Sequence, residues 1–70
     1  MSTEENYIRN IENGIRAIKF GTKTPAEANV GFNLNRLKDV NAGMAEDLMR
    51  EYKNVLEEYK NRNRNMNGSN

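Results

Sequence analysis

Seventy residues with no His, Cys or Trp leave room for one small domain and remove the side chains most used for catalysis and metal binding near neutral pH. Zinc fingers, Cys–His and Ser–His–Asp catalysis and redox dithiols are thereby excluded, so no enzyme, cofactor or metal is expected and the function is sought in a surface. With 30% charged and 36% hydrophobic residues, a mean hydropathy of −1.00 and a net charge of +1, the core must be thin and is stabilised by clean helix packing or by burial against another chain.

The first element is a helix. Ser2-Thr3-Glu4-Glu5 fits a capping box. Tyr7, Ile8, Ile11, Ile15 and Ile18 follow at helical spacing and fall within an arc of roughly 100°, a normal core stripe. Lys19 suits the helix C-terminus, and Gly21 suits the left-handed residue just beyond it.

A short loop, Gly21-Thr22-Lys23, leads to Thr24-Pro25-Ala26-Glu27. That is an N-cap followed by Pro at the first helical position and Glu at the third, so a second helix begins at Pro25. Gly21 to Thr24 lacks the glycine spacing and preceding strand of a phosphate loop, and reads as a capped turn. Residues 28–35 are ambiguous. Ala26, Val30, Leu34 and Leu37 make a helical stripe, while Ala28, Val30, Phe32 and Leu34 alternate with polar residues and Gly as a strand would. Asn and Gly are poor strand formers and no second strand is present to pair, so a helix is expected, broken near Gly31.

Asp39 or Asn41 caps a third helix from Ala42 to about Lys60. Met44, Leu48, Tyr52, Val55 and Tyr59 form its centre line, flanked by Ala45, Met49 and Leu56. That arc of roughly 140° is wide enough to touch two neighbours or to cover a partner. Glu46–Arg50 and Glu58–Arg62 are expected ion pairs one turn apart. The Asn-rich segment from Asn61 has no periodicity and is expected to be disordered. The expected architecture is all-α: a single helical domain, residues 1–60, with two long antiparallel helices (about 3–20 and 42–60) and a shorter helix between them.

No apolar run approaches the roughly 18 residues that cross a bilayer, and MSTEENY is unlike a secretory signal, so a cytoplasmic protein with no membrane partner is expected. Thirteen Asn, with many Lys and Ile, point to an AT-rich genome such as that of a phage or a low-GC bacterium. Charge is uneven along the chain. Six basic residues stand against Glu12 and Glu27 from Arg9 to Lys38, and six acidic ones against Arg50 and Lys53 from Asp39 to Glu58. The two halves either attract one another within the fold or address oppositely charged partners.

Phe32 is the residue of most interest. On an unbroken helix it points away from the apolar stripe, with Arg36 one turn on, an anchor pair for protein recognition; on a helix broken at Gly31 it turns into the core. Leu48, Tyr52 and Leu56 are the candidate partner-binding residues of the last helix. The expected function is therefore a small protein-binding module, a regulator or adaptor of a larger protein, with a protein partner or a second copy as the occupant. Residues 24–40 also resemble a helix-turn-helix DNA reader, with Gly31-Phe32-Asn33 as the turn and Asn35, Arg36 and Lys38 reading bases or phosphates. A self-assembling structural subunit is the third class. Arg62 and Arg64 could touch phosphates non-specifically. The adjacent carboxylates Glu46/Asp47 and Glu57/Glu58 splay by roughly 100° and converge on no site. Tyr7, Tyr52 and Tyr59 read as core edges.

Overall fold

A computed structural model describes the backbone of residues 2–68 and the side chains as far as Arg62. Most of the expected disordered tail lies outside those side chains, and Ser69 and Asn70 lie outside the described residues altogether. Four helices follow one another: α1 (Thr3–Phe20), α2 (Pro25–Ala28), α3 (Val30–Val40) and α4 (Ala42–Gly68). The expected all-α class holds, and α1, α3 and α4 each pack against the other two.

Local chemistry sets the ends of α1, the start of α2 and the start of α4. Ser2 accepts a hydrogen bond from the Glu5 backbone N–H at 3.1 Å and starts α1, while its own hydroxyl donates to the Glu5 carboxylate at 3.3 Å. At the other end Gly21 sits in the left-handed region at φ 78°, where a side chain would be strained, and its N–H donates to Ile18 O. Thr24 makes the complete reciprocal cap: its hydroxyl accepts from Glu27 N–H at 3.2 Å and its N–H donates to the Glu27 carboxylate at 2.8 Å. The side chain of Asn41, not Asp39, caps α4 by accepting from Met44 N–H at 3.1 Å.

The middle of the chain breaks, but two residues before Gly31. Asn29 adopts φ 53° and ψ 38°, ending α2 after four residues and starting α3. Asn is the side chain that best tolerates this conformation after Gly. Gly31 and Phe32 are ordinary residues of α3, so no strand forms between 28 and 35.

The position of the break follows from packing. Ile11, Ile15 and Ile18 of α1, Val30, Leu34 and Leu37 of α3, and Ala45, Leu48 and Val55 of α4 form the core. Tyr7, Ile8, Ala28, Met49, Tyr52 and Tyr59 close its edges. Val30 and Ala28 flank the break and both press on Gly14 of α1. A Cβ on Gly14 would lie 2.6 Å from a Val30 methyl and 3.2 Å from Ala28 O. Gly14 is buried because the chain crosses α1 there at backbone distance.

One expectation is corrected. α1 and α4 run parallel, not antiparallel. The Asn41 side-chain amide donates to Glu4 at 3.4 Å at one end, and Arg62 reaches Ile18 O and Lys19 O at the other. With eleven residues α3 makes a full return pass, so the first and third passes share a direction. α4 also continues beyond Lys60, to Gly68.

Two predictions test this account. Gly14→Ala should lower the chemical-denaturation midpoint. Overpacking costs about 1–3 kcal/mol and outweighs alanine's helix preference, because neither the stiff Val30 side chain nor a carbonyl can swing aside. Gly31→Ala meets open space and should stabilise by about 0.5–1 kcal/mol. The reverse pattern would place the close approach elsewhere.

The Glu27 carboxyl is held below its ordinary value of 4.5, first by the Thr24 backbone N–H, then by the Thr24 side chain and the Lys23 charge. Its folded value lies below its unfolded one, so the stabilisation is whole above the unfolded value and fades as pH falls through the folded one. Glu27→Gln keeps an acceptor but cannot titrate. Its stability deficit relative to wild type should shrink as pH drops from neutral to below about 4, read by thermal melts. A deficit constant with pH would remove the carboxylate from the cap.

Candidate protein-docking ridge on α3

Burying Val30, Leu34 and Leu37 fixes the rotation of α3, and the opposite face follows from the 100° advance per residue. Phe32 and Arg36 lie on that outward face. Phe32 is 52% exposed, so of the two positions open to it the structure shows the outward one. The Arg36 guanidinium carbon stands 5.1 Å from the centroid of the Phe32 ring, within cation–π range. Arg36 forms no ion pair or hydrogen bond among the described residues, so its donors are free.

A third residue completes the row. Val40, one further turn along α3, is also 52% exposed. Phe32, Arg36 and Val40 are spaced i, i+4, i+8 and span about 12 Å at the helical rise. The ridge is apolar, cationic, apolar. Sequence reasoning missed Val40, although counting four residues on from Phe32 and Arg36 reaches it.

The last-helix candidates are placed differently. Leu48 is 5% exposed and belongs to the core. Tyr52 packs on the core edge, and Leu56 is half-buried. Most of the apolar arc of α4 is thus spent on its two neighbours, α1 and α3, while Met44, expected on its centre line, is exposed. Among the described residues the exposed large apolar ones are Phe20, Phe32, Val40 and Met44, with Phe20 the most open at 71%.

The three nucleic-acid candidates do not all share a face. Lys38 and Asn35 line a groove between α3 and α4 in which Glu46 stands. Arg36 is rotated about 160° from Lys38 around the helix. The Gly31-Phe32-Asn33 turn that a helix-turn-helix requires is absent, because these three residues lie inside α3.

Charges pair less than the sequence suggests. The one ion pair among the described residues is Arg50 with Asp47 at 3.7 Å, not Glu46, and both side chains are exposed, so it adds little. No ion pair joins α1 or α3 to α4 among these residues. Arg62 forms no ion pair with Glu58 but donates to Lys19 O and Ile18 O, both at 3.1 Å. Its positive charge meets the negative end of α1, giving a partner to Lys19 O and a second donor to Ile18 O, which already accepts from Gly21 N–H. Among the described residues no cluster of acidic side chains could hold a metal ion, and no helix is long and apolar enough to cross a membrane. No family model, known protein or solved structure matches the chain.

Arg62→Ala should destabilise the fold by about 0.3–1 kcal/mol and speed amide exchange at the junction of α1 and α4. Unchanged exchange at Gly21 and in the turn of α4 around Arg62 would show that the contact does not hold the two helices together.

Proposed function

We propose that this chain is a small, non-enzymatic helical protein-binding module. It would act as a cytoplasmic regulator or adaptor of a larger protein, in an AT-rich host such as a phage or low-GC bacterium, and engage its partner through Phe32 and Arg36. One observation carries the reading: a half-exposed aromatic ring with an unpaired arginine stacked on it, held on a helix whose other face is fully committed to the core. Aromatic residues and arginine are enriched where protein surfaces meet, because they bury large area at small entropy cost.

DNA recognition is the weaker reading, since Arg36 lies apart from Asn35 and Lys38, whose groove also holds Glu46, and Gly31-Phe32-Asn33 is helix rather than a turn. Self-assembly through Leu48, Tyr52 and Leu56 is weakened by the burial of Leu48.

Phe32→Ala should leave the helical circular-dichroism signal intact and move stability by no more than about 0.5 kcal/mol, as expected of a surface change. The same substitution should abolish partner capture from a cell extract. Unfolding of the variant would return Phe32 to the core. Sub-micromolar duplex binding at physiological salt, lost in Arg36→Ala, would transfer the function to nucleic acid.

A further inference from the structure

We infer that the junction at Asn41 is a hinge, and that two copies of this chain dimerise by opening it and exchanging α4. In each opened copy α3 and α4 are one helix from Val30 to Gly68, and each α4 packs on α1 and α3 of the other copy.

The apolar stripe is already that of a single helix. Counted at 100° per residue straight through the junction, the buried Val30, Leu34 and Leu37 of α3 and Ala45, Leu48 and Val55 of α4 fall within an arc of roughly 80°. Half-buried Asn41 lies at the middle of that arc. The stripe keeps its phase where the helix does not. It is also symmetric about Asn41: Leu37 and Ala45 lie four residues to either side, and Leu34 and Leu48 seven. A twofold contact between antiparallel helices needs that symmetry, because each copy meets its own sequence reversed. The turn at Asn41 brings these positions together within one chain, and exchange brings the same positions together between two. Leu48 is buried in both forms, so no exposed face of α4 is required.

The hinge needs little remaking. Asn41 N–H donates to Leu37 O at 2.7 Å and Ala45 N–H to Asn41 O at 3.0 Å, both of them four-residue bonds of an α-helix. A continuous helix adds only the bonds from residues 42, 43 and 44 back to 38, 39 and 40. The Asn41 side chain holds the turn closed: its oxygen accepts from Met44 N–H at 3.1 Å and its amide donates to Glu4 at 3.4 Å. A polar residue at the centre of an apolar stripe also weakens the assembly, so Asn41 restrains the exchange twice over. Val40 and Met44, exposed on either side of the turn, become neighbours one turn apart beside the twofold axis. Phe32 lies about 180° from Asn41 around the helix, so exchange leaves it exposed and this inference stands apart from partner capture.

The test uses the full chain, refolded from denaturant over a range of concentrations and read by size-exclusion chromatography with light scattering. Wild type should give a dimer beside the monomer, its share rising with concentration. Asn41→Leu removes the cap and completes the stripe, and should tighten the dimer roughly 30-fold through the two lost caps alone. Ala42→Pro suits the first position of α4 but forbids a continuous helix, since proline lacks the N–H and clashes with the preceding turn. It should fold, stay monomeric and return Asn41→Leu to the monomer. The chain has no Cys, so Lys38→Cys with Glu46→Cys, both lining the groove between α3 and α4, reports the exchange directly. On a denaturing gel, a short bis-maleimide should link them within chains in the monomer fraction and between chains in the dimer fraction. A dimer linked only within its chains is a side-by-side pair and would overturn the inference. So would a wild-type chain that stays monomeric at millimolar concentration, an Asn41→Leu dimer no tighter than wild type, or one untouched by Ala42→Pro. If the proline variant unfolds, the cross-links on wild type and Asn41→Leu decide alone.

Discussion

The contact on which the rest of the structure depends is the one between Gly14 and the break at Asn29. Two helix passes approach at backbone distance only where no Cβ intervenes, and Gly14 is that place on α1. The returning chain meets it with Ala28 on one side of the break and Val30 on the other. A continuous helix from Pro25 could not present both to one point while also running back along α1. The left-handed Asn29 re-aims the chain, and the capping box at Thr24 closes the short helix before it. With Val30 seated, the rotation of α3 is decided: Leu34 and Leu37 go inward, and Phe32, Arg36 and Val40 go outward. A glycine on the first helix thus fixes which face of the third is left to the solvent.

Such a thin core relies on its helix ends. Nine buried hydrophobic side chains, drawn from all three long helices, leave little margin to absorb an open helix terminus. Most helix ends accordingly have a partner: Ser2 and Thr24 at N-termini, Gly21 at the end of α1, and Asn41 serving both the end of α3 and the start of α4, while the Asn29 junction makes no side-chain cap. Arg62 then reaches back to carbonyls near the end of α1 from a turn of α4 far along the chain. Asn41 and Arg62 tie α4 to α1 at opposite ends, which is also why the parallel direction of these helices can be read from polar contacts alone.

What the sequence made legible was the part governed by local rules. The ends of α1, the start of α2, the cap of α4 and the isoleucine stripe all follow from neighbours within four residues. Phe32 was also readable, since the 100° rule places it opposite the stripe wherever the helix is intact. What was not legible depended on distant contacts. Asn29 resembles the other Asn residues around it, and only its need to straddle Gly14 singles it out. The direction of α4 hangs on whether the middle segment makes a whole pass, which no window of residues 25–40 declares. Leu48 looked available because the apolar arc of α4 is wider than one neighbour needs. A second neighbour, α3, takes the surplus.

The exposed ridge therefore has a physical character different from an accidental surface phenylalanine. Its backbone is a helix fixed at both ends, with the Asn33 side-chain amide donating to Asn29 O at the start and Asn41 N–H donating to Leu37 O at 2.7 Å at the finish. Its inner face is locked by three fully or nearly fully buried residues. The backbone positions of Phe32, Arg36 and Val40 are thus set by the fold itself. The stacked arginine also shields part of the ring in the free protein.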